Sequence, residues 1–85
     1  MVKGRRREFG ECTEPGDYAI YGGDLHFVLP NSDPGSLRLG MIRGQDSRWS
    51  IAEHEDGTVT VSPSIWYLGE NGWHGFLERG VWREV

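Results

Sequence analysis

Histidine, serine and cysteine side chains are the groups in this sequence that could perform acid–base or nucleophilic chemistry. The candidates are His26, His54, His74, Ser62, Ser64 and Cys12. A serine hydrolase site requires these groups to converge in space, and spacing along the chain does not show convergence. Both serines lie in predicted strands, where serine is an ordinary polar residue, and the cysteine lies in a polar terminal segment. We therefore expect no catalytic residue and predict that the protein is not an enzyme.

The composition favours a β protein with many turns. Thirteen of the 85 residues are glycine, and the aromatic side chains comprise four Trp, three Tyr and three Phe. Glycine at about twice its usual share of roughly 7% suits tight turns and weakens helices. Aromatic side chains bury large areas, so they can form the core of a small domain without a disulfide or a metal.

Turn signals divide the chain into short segments rich in β-forming residues. Gly22 with Gly23, and Asp56 with Gly57, are turn dipeptides, and Pro63 is expected to end the strand before it. Predicted strands span residues 17–21, 25–29, 37–42, 48–54, 58–62, 64–68, 73–77 and 81–85, with a turn at 69–72. This spacing predicts an all-β fold, a compact antiparallel sandwich or barrel of six to eight short strands built from hairpins.

Charge is distributed unevenly along the chain. Residues 1–7 hold four of the nine cations and no acid, which leaves five cations and all thirteen acids in the remainder. We therefore divide the chain into a basic N-terminal arm, residues 1–16, and a single β domain, residues 17–85. So acidic a body repels nucleic acid, and we expect no contact with nucleic acid except through the arm, which could also touch an acidic partner surface. The arm cations are Lys3, Arg5, Arg6 and Arg7. The alternative is a solvated arm that is attracted to its own acidic body.

The sequence contains no membrane signal. No apolar run approaches about 20 residues, and a single cysteine excludes an internal disulfide. We expect no membrane partner and a cytoplasmic location in a host cell, with a virion as the alternative.

Several short motifs in the second half occur in a familiar order. They are WSI at 49–51, TVTVSPSI at 58–65, WHGFL at 73–77, Gly80 and Trp82. This order resembles a family of small, functionally uncharacterised bacterial and phage β domains, whose terminal hairpin has a Cys or Trp before the His. The resemblance covers roughly residues 15–85 and is strongest over 48–83.

The resemblance also bears on metal binding. Many members of that family carry cysteine-rich motifs that look like a zinc site, whereas Trp73 stands before His74 in this sequence. The equivalent ligands would be His26 and His74, which Asp24 could join. A structural zinc site normally has four ligands, so we predict no metal and no other cofactor. The aromatic residues expected to take the place of the metal are Trp73, Phe27 and Trp66.

Aromatic side chains supply the predicted binding surface. Trp66 and Tyr67 are adjacent, so a strand points one of them outward. The same alternation predicts Trp73 and Leu77 in the core, with His74 on the opposite face near His26. The predicted binding residues are Trp66, Tyr67, His74, Phe76, Trp82, His26 and Arg79.

These observations favour binding over catalysis. We predict a small, phage-type accessory protein that acts by protein–protein interaction, as a homo-oligomer, on a host target or in a virion. One alternative is a protein that binds a small ligand or sequesters a nucleotide. Another is a degenerate zinc-binding domain, or a hydrolase built on His26 and His74.

Overall fold

A computed structural model describes residues 1–67 and 72–85. The strands are β1 (Val2–Lys3), β2 (Tyr18–Tyr21), β3 (Asp24–Val28), β4 (Leu39–Ile42), β5 (Ser50–Glu53), β6 (Val59–Tyr67), β7 (Trp73–Glu78) and β8 (Val81–Glu84). The all-β prediction is confirmed. Within these residues there is no helix long and apolar enough to cross a membrane. The predicted turn at 69–72 and the end of the preceding strand fall mainly on residues 68–71, which lie outside the described part.

The strands form two antiparallel sheets. A five-stranded sheet has the order β1-β8-β7-β6-β5, and a three-stranded sheet has the order β2-β3-β4. Buried side chains from both sheets form one hydrophobic core. The architecture is therefore a small sandwich, one of the two predicted arrangements.

The C-terminal hairpin of β7 and β8 alternates as the sequence predicts. Trp73 and Leu77 are buried, whereas His74 and Phe76 are half-buried on the opposite face of β7. Gly75 is the middle residue of this stretch. A Cβ atom at this position would overlap the Trp73 ring and the Arg83 carbonyl oxygen. The absence of a side chain at this position lets the indole fold back along β7.

Trp82 lies in the core, in contrast to its predicted place on the binding surface. Only 1% of it is exposed. Its ring centroid lies 5.3 Å from that of Phe27 and 5.5 Å from that of Trp73. Its indole N–H donates a hydrogen bond of 2.8 Å to the Gly16 carbonyl. Its side chain is therefore not available to a partner.

Strand β6 differs from the prediction of two strands separated by Pro63. It is one continuous strand of nine residues. Its register with β7 pairs Val61 with Leu77 but Ile65 with Gly75, so β6 contains two more residues than β7 over this interval. Proline lacks the N–H group that donates in a regular strand ladder, but a bulge can accommodate it. Pro63 therefore lies within β6 and does not end it.

The N-terminal residues are attached to the body. β1 adds to the edge of the five-stranded sheet beside β8. Arg5 forms a salt bridge with the buried Asp17, at 3.0 Å, and Arg6 forms one with Glu53, at 2.7 Å. Arg5 and Arg6 of the arm thus contact acids of their own chain.

Candidate functional site

Ser64 and His74 lie side by side on the face of the five-stranded sheet that points away from the core. The Nε2 atom of His74 is 3.1 Å from the Oγ atom of Ser64, and both residues are half-buried. A hydroxyl within hydrogen-bond distance of an imidazole is the arrangement of an activated serine nucleophile. The sequence analysis considered both residues but did not pair them.

Ser64 lies in the bulge of β6. Val61 and Ile65 are both buried, and alternation between them places Ser64 on the outer face. Residues 62–64 of β6 lie opposite the single residue Phe76 of β7, because Val61 pairs with Leu77 and Ile65 pairs with Gly75. Trp66 pairs with His74, so Ser64, two residues before Trp66, is the diagonal neighbour of His74 on the outer face. Bulges occur often beside active sites.

Trp49 holds the backbone of Ser64. Its indole N–H donates a hydrogen bond of 3.0 Å to the Ser64 carbonyl. The Arg48 guanidinium lies 4.7 Å from the centre of the Trp49 ring, and it forms a salt bridge of 2.8 Å with Asp46. The side-chain hydrogen bond from Arg48 lowers the pKa of Asp46 to about 2. Asp46 therefore remains ionised and keeps Arg48 stacked on the indole.

Trp66 sets the orientation of the His74 ring. The two residues are partners across β6 and β7, and their rings stack with centroids 5.0 Å apart and planes inclined by 17°. The stacked indole covers one face of the imidazole. Trp66 itself is 62% exposed and therefore remains accessible to a ligand. Within residues 1–67 and 72–85, the ion pairs and hydrogen bonds of the structure join no carboxylate to His74.

Two open clefts, one lined by His74 and the other by Trp49, share Trp66 and Tyr67. The His74 cleft has a volume of about 370 Å³ and is lined by Trp66, Tyr67, Gly72, Trp73, His74, Glu84 and Val85. The Trp49 cleft has a volume of about 580 Å³ and is lined by Met41, Ile42, Arg43, Asp46, Arg48, Trp49, Trp66 and Tyr67. The clefts are of the size that ligand sites occupy.

Tyr67 lines both clefts, whereas Phe76 lines neither. The Tyr67 hydroxyl accepts a hydrogen bond of 2.8 Å from the Met41 backbone N–H, which joins the end of β6 to the edge strand β4. Phe76 lies beneath the Arg83 guanidinium, 4.5 Å from the centre of its ring. Of these two predicted binding residues, Phe76 shares the outer face of β7 with His74, and Tyr67 packs against the core at the edge of the clefts.

His26 and Arg79 lie elsewhere. His26 is on the three-stranded sheet, where its ring contacts Phe9 and Tyr21, so it does not meet His74 as the sequence analysis expected. Arg79 is in the turn between β7 and β8, and its backbone N–H donates to Thr60 Oγ1. Among the described residues no group of three or more His, Cys, Asp or Glu side chains could hold a metal ion.

A second imidazole–hydroxyl pair has a structural explanation. His54 Nε2 lies 2.6 Å from Thr60 Oγ1, but that oxygen already accepts the Arg79 N–H at 2.9 Å. Thr60 thus links the residue after β5, His54, to the turn between β7 and β8 that contains Arg79. The Ser64 hydroxyl makes one hydrogen bond in the described part of the chain, to His74, which makes Ser64 the better nucleophile.

The comparisons with known proteins point to a family of serine proteases. A family model described as bacterial ubiquitination-like system serine protease (BubE) matches residues 24–85, a stretch that includes Ser64 and His74. No curated protein and no solved structure matches the chain. The match overturns the predictions of a non-enzyme, of a non-catalytic binding protein and of a phage protein, because the family is described as a bacterial protease. The resemblance to a phage-type signature stays a prediction.

Proposed function

The chain belongs to the BubE family of bacterial ubiquitination-like system serine proteases, and from this premise we propose that it is a serine protease with Ser64 as nucleophile and His74 as general base. The observation that carries the proposal is the distance of 3.1 Å between Ser64 Oγ and His74 Nε2. It is within the reach that proton transfer requires.

The proposed reaction proceeds through an acyl-enzyme. His74 Nε2 takes the proton of the Ser64 hydroxyl as the oxygen forms a bond to the substrate carbonyl carbon. The same proton passes to the leaving nitrogen as the C–N bond breaks, which leaves the acyl group on Ser64. Water then attacks this ester while His74 accepts its proton, and the proton returns to the serine oxygen as the carboxylic acid departs. The enzyme ends in its starting state.

Aromatic contacts supply the orientation that a third residue supplies in a triad. An orienting group keeps the base in the geometry that accepts the proton. The Trp66 ring, stacked on the imidazole, restrains its rotation, and the Trp49 N–H restrains the serine backbone. The first restraint joins β6 to β7, and the second joins β6 to the residue before β5, so both act between neighbouring strands of the sheet.

The substrate we propose is a protein of a ubiquitination-like system, following the family description. The open face of the five-stranded sheet supports this choice, because both clefts open to solvent and leave space for the body of a protein. The protein partner predicted from the sequence then becomes the substrate. We also propose a cytoplasmic location, which fits the free thiol of Cys12.

Hydrolysis of a p-nitrophenyl ester tests the proposal, because an acyl-enzyme releases a burst of nitrophenol before steady turnover. We expect the burst in the wild type and its loss in Ser64→Ala. Ser62→Ala is the matched control, since Ser62 is an exposed serine two residues away on the same strand. A burst that persists in Ser64→Ala, or that disappears in Ser62→Ala alone, would overturn the assignment of the nucleophile.

A further inference from the structure

We propose that the protease selects substrates by the charges on the two sides of the scissile bond. Arg43 binds an acidic side chain before that bond, and Glu84 binds a basic side chain after it. This inference rests on the proposed function and adds the substrate class to it. It is carried by the opposite free charges of the two clefts, Glu84 in the cleft that His74 lines and Arg43 in the cleft lined by Trp49, whose indole is bonded to Ser64.

The position of His74 sets the direction in which a substrate lies. The base must give its proton to the leaving nitrogen, so the leaving group departs beside the imidazole. His74 lines the His74 cleft and does not line the Trp49 cleft. The leaving group therefore belongs in the His74 cleft.

The acyl part of the substrate then extends to the other side of Ser64. Trp49 lines the second cleft, and its indole N–H is bonded to the Ser64 carbonyl. The Trp49 cleft therefore lies next to the backbone of Ser64, the residue that carries the acyl group. The residues before the scissile bond therefore belong in the Trp49 cleft.

Arg43 is the free charge of the Trp49 cleft. The other cation there, Arg48, is held by Asp46 through two guanidinium nitrogens. In the described part of the chain, the exposed Arg43 side chain has neither an ion pair nor a hydrogen bond, although acids outnumber cations by thirteen to nine. A guanidinium binds a carboxylate with two parallel hydrogen bonds. Arg43 is thus suited to an Asp or Glu side chain of the substrate.

Glu84 is the corresponding free charge of the His74 cleft. It is exposed, and among residues 1–67 and 72–85 it pairs with no cation. The neighbouring Arg83 is occupied by Glu78, at 2.7 Å. A carboxylate at this position attracts a Lys or Arg side chain that follows the scissile bond, and it repels an acidic one.

A defined mixture of unstructured peptides, with cleavage sites identified by mass spectrometry, tests the inference on the full chain. We expect wild-type sites to favour Asp or Glu before the scissile bond and Lys or Arg after it, each by about fivefold in kcat/KM, as for an exposed ion pair. Arg43→Gln should remove the first preference and keep the second, and Arg43→Glu should reverse the first. Glu84→Gln should remove only the second. Lys3→Gln and Glu55→Gln, exposed residues that line neither cleft, should keep both.

The outcomes separate this inference from the function on which it rests. Cleavage without a charge preference, or a preference that survives in Arg43→Gln and Glu84→Gln, would overturn the inference alone. Failure to cleave any peptide while Ser64 still reacts with a fluorophosphonate would also overturn it and would leave the catalytic pair intact. Failure of both reactions would overturn the proposed protease.

Discussion

The indole N–H of Trp49 is bonded to the carbonyl oxygen of Ser64 across 3.0 Å, and the two residues are fifteen positions apart in sequence. Ser64 lies in the part of β6 where the ladder to β7 is interrupted by the bulge. The side chain of Trp49 therefore contributes a hydrogen bond to the segment that carries the proposed nucleophile.

Trp49→Phe tests this restraint, because it removes the N–H and keeps an aromatic ring. We expect kcat for ester hydrolysis to fall about ten- to a hundredfold, since a small displacement of a nucleophile has an effect of this size. The free energy of unfolding should fall by only about 1 kcal/mol, as for one hydrogen bond. Tyr21→Phe, at an exposed position on the three-stranded sheet, serves as the control. An unchanged kcat would show that the bond does not position Ser64.

Trp66→Ala separates activity from stability. Because Trp66 is 62% exposed and stacks on His74, we expect a loss of esterase activity with less than about 1 kcal/mol lost in stability. Trp82→Ala should behave differently, since it empties the core and should cost about 3–5 kcal/mol. Urea denaturation measures both variants. Equal stability losses in the two variants would contradict the assignment of their faces.

Asp17 should make the fold sensitive to acid. Burial raises the pKa of this carboxyl, but hydrogen bonds from Arg5 and from the backbone N–H groups of Thr13 and Glu14 outweigh it, so the pKa lies below its ordinary value of 3.8. A group with a lowered folded pKa stabilises the fold above its unfolded pKa and loses this contribution as the pH falls through the folded value.

Asp17→Asn should therefore lower stability near neutral pH, by about 2–3 kcal/mol after allowance for the exposure of Arg5. The difference from the wild type should shrink as the pH falls below about 3.8. Thermal unfolding from neutral to acid pH measures it, and Asp33→Asn, an exposed loop residue, is the control. A constant difference across this range would contradict the role of the ionised carboxylate.

The sequence predicts the all-β fold because its turns are marked by glycine and its strands by alternation. The boundary at Pro63 was wrong for a local reason: proline usually ends a strand, but the bulge in β6 accommodates it. Alternation also shows that Val81 and Trp82 face opposite ways without showing which is buried. The contacts of Trp82 with Phe27 and Trp73 decide that in the folded chain.

The proposed catalytic pair could not be predicted in the same way. Ser64 is next to His74 because β6 pairs with β7 in a register that sets Trp66 opposite His74, and register depends on the packing of the whole sheet. A local signal existed in the proline between Ser62 and Ser64, since proline within a strand marks a bulge. That signal indicates an irregular position in β6 but does not name the histidine across from it.

The central claim is that His74 activates Ser64, and covalent labelling by a fluorophosphonate tests it most directly. We predict one adduct per chain, located on Ser64 by peptide mapping, with no adduct in Ser64→Ala and normal labelling in Ser62→Ala. His74→Ala should label at least about a hundredfold more slowly, the usual contribution of a general base, while it remains folded. An adduct on a residue other than Ser64, or an undiminished rate in a folded His74→Ala variant, would contradict the account.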